Sequence, residues 1–142
     1  MTALPDINLL IARSDAGHEF HQQARAWLHN QSNLVLTTCA ITENGFLRIY
    51  GHPNYPGGPG SPAAAARALA ILRDRPGHRF ISTDFSILSP GIDLSDSSPA
   101  QLTDLYLLAL AVRHDAKFVT LDTRIDPALV KGGTAALIVI PT

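Results

Sequence analysis

The chain has 142 residues, 46% of them apolar, and a net charge of −1. Such a length supports one domain, 1–142, around a single core; the apolar content excludes disorder, and the charge excludes a bulk field that would steer the chain onto RNA, DNA or anionic membrane. A lone Cys39 excludes an internal disulfide and a cysteine-based zinc site, and no apolar run or N-terminal layout suggests a membrane span or a signal peptide, so a cytoplasmic domain is expected.

The first apolar stretch, Ala3–Pro5, reads as a strand that should finish by Leu4, because Pro5 has no N–H for a ladder. Asp6 follows, and INLLIAR then reads as a helix. The next segment, GHEFHQQARAWLHN, repeats apolar residues at Phe20, Ala24, Trp27 and Leu28, which is a helical stripe. His18 and His21 lie three apart there, yet HEFH is not the zincin pattern, so packing or exposure is the simpler reading.

Asn33–Thr38 is β-branched and apolar, a second strand, and AITENGFLRIYG has helical spacing. The stretch HPNYPGGPG holds too much Pro and Gly for regular structure, and no G-K-[ST] follows it to make a phosphate loop. Ser61-Pro62 then opens a helix, Ser as cap and Pro in the first turn, which runs to Pro76-Gly77. His78–Ser82 is a third strand. Asp84–Ser97 is mixed, with a short helical turn expected at FSIL.

Two starts suit the next helix: a capping box at Ser98–Gln101 or a later cap at Thr103. Within it, LTDLYLLALAV carries one charged residue, Asp104, in otherwise buriable company. Lys117–Asp122 is a fourth strand and Ala136–Pro141 a fifth. Asp126-Pro127 looks like a turn or helix start. Strands alternating with helices define a three-layer α/β/α fold with a mainly parallel five-stranded sheet, whose sites form at the carboxyl ends of the strands.

Four acids fall in similar contexts. Asp6 follows the first strand and Asp122 ends the fourth. Glu43 and Asp104 lie in the N-terminal halves of helices that reach the same edge. Each has a plain alternative: Asp104 as a first-turn residue favoured by the helix dipole, Glu43 as a solvated helix residue, Asp6 and Asp122 as loop starters. Gathered in one cleft, four carboxylates would repel and require a cation, and hard oxygen donors favour Mg²⁺ or Mn²⁺.

The ordered set LPDINLLIA, H-x-x-A-x-x-W-L at His21–Leu28, ITENGFLRI, QLTDLYLLALAVRH and FVTLD resembles the PIN-domain ribonucleases, and among them the VapC-type toxins of bacterial toxin–antitoxin pairs. The resemblance implies a parallel five-stranded sheet and Mg²⁺-dependent hydrolysis of RNA phosphodiesters to 5′-phosphate and 3′-hydroxyl ends. It also implies a small VapB-like antitoxin as inhibitor and a homodimer. It places Asp6, Glu43, Asp104 and Asp122 as catalytic metal ligands, with Asn8, Thr103 and Thr120 supporting them. Arg13, Arg48, Arg113 and Arg124 are candidate contacts to RNA phosphates, each weighed against an ordinary solvated charge. The RNA target, tRNA, rRNA or mRNA, is not legible.

Rivals fit less well. A haloacid-dehalogenase-like phosphatase needs a second Asp two residues after the first, where this chain has Asn8. A phospho-accepting receiver domain wants paired acids and a late Lys, neither of which is clear. A catalytically silent PIN-like binding module would not need all four acids.

Overall fold

Strand β1, Thr2–Pro5, lies at the centre of a five-stranded parallel sheet of order β3-β2-β1-β4-β5. The computed structural model describes all residues, Met1–Thr142. The other strands are β2 (Val35–Thr38), β3 (Arg79–Phe80), β4 (Lys117–Thr120) and β5 (Leu137–Val139). Chain direction leaves β1 to one side for β2 and returns to its other side as β4. The carboxyl edge between β1 and β4 is therefore the point where strand order reverses and a crevice opens.

Pro5 belongs to β1, contrary to the expected stop at Leu4, and pairs in register with Val119. Successive residues of a strand direct their N–H groups to alternate neighbours. The Asp6 N–H donates to the Val119 carbonyl at 2.8 Å, so the hydrogen missing at Pro5 would have pointed away from β4.

Helices cover both faces. On one lie α1 (Ile7–Ser14), α2 (His21–His29), α3 (Ala40–Tyr50) and α4 (Pro62–Arg73), which bury Leu9, Leu10, Leu28, Phe46 and Leu69 with Ala3, Leu36 and Val119 of the strands. On the other lie α5 (Leu102–Arg113) and the short α6 (Gly133–Ala136), packed on Leu4 and Phe118. Ala3 and Leu4, like Val119 and Phe118, feed opposite cores, as the two-residue period of a strand requires. Sheet strands buried on both faces explain their near-continuous apolar composition.

Local chemistry sets the joints. The α1–α3 packing is close because position 45 is glycine: a Cβ there would stand 2.3 Å from Ile7 Cδ1. Ser61 caps α4 by accepting from the Ala64 N–H at 3.1 Å, with Pro62 in the first turn. Of the two starts considered for the Asp104 helix, the Ser98–Gln101 capping box forms. It opens a 3₁₀ turn, Pro99–Gln101, that runs into α5 and leaves Asp104 in the first α-helical turn.

Three expectations change. FSIL forms no helix; it bends, with the Ser89 N–H on the Ser86 carbonyl at 3.0 Å. Four residues before β5 form α6, which four-residue periodicity is too short to reveal. The strands are also shorter than their apolar runs, β3 most of all. Asp126 does start a turn, accepting from the Ala128 N–H ahead of the 3₁₀ segment Pro127–Leu129. No helix is long and apolar enough to cross a membrane.

Candidate active site

The parallel sheet delivers Asp6 and Asp122 to neighbouring strand ends, and α5 brings Asp104 beside them. These three acids line one open cleft of about 370 Å³ with Ile7, Asn8, Ile11, His18, Ile49 and Tyr55.

Asp6 is 5% exposed and fixed at both carboxylate oxygens. Oδ1 caps α1 by accepting from the Ile7 N–H at 2.7 Å, and Oδ2 accepts from the Thr120 hydroxyl at 2.6 Å. Burial pushes its carboxyl above the ordinary range, against these hydrogen bonds, and the nearby Asp122 charge pushes the same way. Thr120, fully buried, also accepts from the Asp122 N–H at 3.0 Å. Asn8 reaches the same hydroxyl with its amide nitrogen at 3.4 Å and accepts from the Leu121 N–H at 3.4 Å. One threonine thus ties the end of β1 to the end of β4, and Asn8 braces both.

Asp104 is half-buried and receives no protein hydrogen bond. Burial, then the negative charges of Asp6 and Asp122, push its carboxyl from 3.8 up to about 7, with Arg124 pulling weakly the other way. Asp122 behaves oppositely. The Arg124 guanidinium binds both of its oxygens at 3.0 Å, and that fork holds its carboxyl below the usual range.

Glu43 shares the carboxyl edge but does not line the cleft. Its Oε2 accepts from the Thr38 hydroxyl at 2.6 Å, and its Oε1 pairs with Arg73 at 3.3 Å. Since that hydroxyl donates to Glu43, the His78 Nε2 at 2.8 Å from it must carry the hydrogen. The structure therefore brings three of the four expected acids together and turns the fourth aside.

The supporting residues divide in the same way. Asn8 and Thr120 organise the acids, while Thr103 is exposed and outside the cleft. Of the arginines, Arg124 clamps Asp122 and Arg113 lies over the Phe85 ring at 4.6 Å. Arg48 is exposed on α3, and Arg13 lines a different pocket.

Two cleft residues escape sequence reading. His18 faces the cleft while its Nδ1 accepts from the Phe20 N–H at 3.0 Å. Tyr55 comes from the Gly/Pro-rich loop 52–61 and donates to Asp15 Oδ2 at 2.7 Å. The glycines of that loop allow the ring to lie down, since a Cβ on Gly58 would stand 2.8 Å from it. Loop 52–61 thus contributes Tyr55 to the cleft lining.

The donor chemistry suits a hard divalent cation. Two carboxyls are raised, a third is ionised, and oxygen atoms dominate the polar lining. No three acidic, His or Cys side chains are gathered at chelating distance; Mg²⁺, which keeps several waters and takes only one or two carboxylates, does not need such a cage.

A PIN-domain family model matches residues 3–128, and the chain belongs to that family. Its similarity to curated relatives is to VapC ribonucleases of Mycobacterium tuberculosis. Ribonuclease VapC44 is 47% identical over 136 residues, covering 94% of this chain and 95% of the relative. Ribonuclease VapC38 is 36% identical over 120 residues, covering 84% of each, and ribonuclease VapC39 is 33% identical over 140 residues, covering 97% and 98%. The fold also matches the crystal structure of M. tuberculosis VapC20, described as a sarcin-ricin loop cleaving toxin. The TM-score is 0.65 at 15% identity, over 98% of this chain and 99% of that one.

Proposed function

We propose that this chain is a Mg²⁺-dependent endoribonuclease toxin of the VapC type, formed as a single PIN domain over residues 1–142. The observation that carries the reading is the convergence of Asp6, Asp104 and Asp122 on one cleft, where no cation acts on Asp6 and the one that acts on Asp104, Arg124, is engaged by Asp122. Repelling, partly buried carboxylates are costly unless a positive ion joins them.

Asp6, Asp104 and Asp122 would hold Mg²⁺, or Mn²⁺, directly or through water. When bound, the ion supplies positive charge to a phosphodiester and acidifies water at neutral pH. Asp6 contributes a rigid carboxylate, because both of its oxygens are already positioned by Ile7 and Thr120. Asp104 carries a proton in part of the population near neutrality and gives it up when positive charge enters the cleft. Asp122 stays ionised under the Arg124 fork, and the exposed face of that guanidinium is available to an RNA phosphate. Glu43 acts from outside the cleft, through water or after leaving Arg73. Ile7, Ile11, Ile49 and Tyr55 give the ribose and base an apolar wall.

The reading extends to a VapB-like antitoxin that blocks the cleft and to a homodimer, both supported by family membership. Incubating labelled RNA with the purified chain tests the core of it. Cleavage with Mg²⁺, its loss in EDTA and its return with excess Mg²⁺ are expected, with 5′-phosphate and 3′-hydroxyl ends. Cleavage that persists in EDTA contradicts the metal role, and RNA left whole under every condition favours a silent binding module.

A further inference from the structure

A second polar pocket lies away from the acids. Arg13, Arg25, Arg75, His29 and Leu28 enclose about 140 Å³, and none of them lines the acidic cleft. Topology explains the separation. Helix α1 starts at the carboxyl edge, at Asp6, and carries Arg13 about 10 Å along its axis toward the opposite edge. His29 ends α2 just before β2, and Arg75 precedes β3, so both stand at the amino edge of the sheet.

None of the three guanidiniums forms an ion pair. Both ion pairs of the molecule use other arginines, Arg73 and Arg124. Burial first, then the like charges of Arg75 and Arg25, weaken the hold of half-buried Arg13 on its proton. Keeping like charges in a shared concavity costs stability, and an anion entering it would relieve that cost. Each guanidinium offers five donors in a planar fork that matches phosphate geometry.

We propose that Arg13, Arg25, Arg75 and His29 form a phosphate-binding exosite that grips the RNA backbone at a distance from the cut. This rests on the ribonuclease reading for the identity of the polyanion. The lining favours RNA over an acidic protein segment, since Leu28 is its single apolar residue and is itself buried. A protein hot spot would want an apolar anchor there. Ile7 and Ile11 of the cleft and Arg13 of the pocket share α1, so a polyanion seated in the cleft and following that helix would reach the pocket.

The test uses the full chain and two probes: a fluorescent 2′-O-methyl oligonucleotide that resists cleavage, read by anisotropy, and a long cleavable RNA. The Arg25→Gln/Arg75→Gln double variant should bind the oligonucleotide about tenfold more weakly. The slope of log K against log salt should fall by about 1.4, the loss of two phosphate contacts to a single strand. For cleavage, KM should rise while kcat holds, and thermal stability should stay level or rise as repulsion is relieved. Arg25→Lys/Arg75→Lys should restore most of the salt slope. Unchanged affinity and slope in the Gln variant overturn the exosite. Because anisotropy needs no cleavage, Arg-dependent binding without cleavage would spare the exosite and remove the ribonuclease, while normal cleavage with indifferent arginines would do the reverse.

Discussion

Asp6→Asn is expected to lower RNA cleavage by on the order of 10³-fold while leaving the fold intact, because charge at the reacting phosphate is lost and packing is not. Asparagine is as good a helix cap as aspartate, so its side-chain oxygen can still accept from the Ile7 N–H. Its amide can donate to Thr120, whose hydroxyl then turns. The variant also removes a carboxyl that burial already disfavours as an anion. Single-turnover cleavage with saturating Mg²⁺ and a thermal melt check both halves. Near-normal cleavage would remove Asp6 from the chemistry, and a collapsed melt would make it a structural cap.

The second large effect is on stability, and its sign depends on pH. The Asp104 carboxyl is raised from 3.8 to about 7 in the folded chain. Below pH 3.8 it is protonated whether folded or not and costs nothing. Between that value and about 7 the unfolded chain ionises first, so the wild type loses stability as pH rises, and above 7 the loss is complete. Without divalent metal, Asp104→Asn should therefore be more stable than wild type at pH 8 by about 1–2 kcal/mol, after allowance for solvent screening at a half-exposed side chain. The gap should close at low pH. Saturating Mg²⁺ should reverse the order, since a ligand at 100 times its Kd adds about 2.7 kcal/mol to the protein that binds it. Urea melts across pH, with EDTA or Mg²⁺, read this directly. A variant less stable than wild type in EDTA at pH 8 would show that Asp104 supports the fold.

Much of the site is legible in the chain because it depends on strand ends. Asp6 and Asp122 each follow an apolar run, and a parallel sheet must put such residues on one edge. Asp104 is legible because it is the one charge inside LTDLYLLALAV; its place in the first turn of α5 satisfies the helix dipole as well, so its partnership with the other acids comes from the order of the motifs and not from its helix alone. Glu43 shows the limit. Its backbone position is as expected, but Thr38 and Arg73, the latter thirty residues away, decide where the carboxylate points. Tyr55 was hidden for a similar reason: a Gly/Pro-rich loop has no period, and only tertiary contact with Asp15 lays the ring along the cleft. The arginine pocket draws on α1, α2 and the turn before β3, so nothing local announces it.

The most direct measurement is the position of the ion itself, from anomalous scattering of Mn²⁺ in crystals of the active chain. An anomalous peak between Asp6, Asp104 and Asp122, lost in Asp6→Asn, is the predicted result. Chain that cleaves RNA while its Mn²⁺ lies elsewhere, or while no Mn²⁺ binds near these carboxylates, would contradict it.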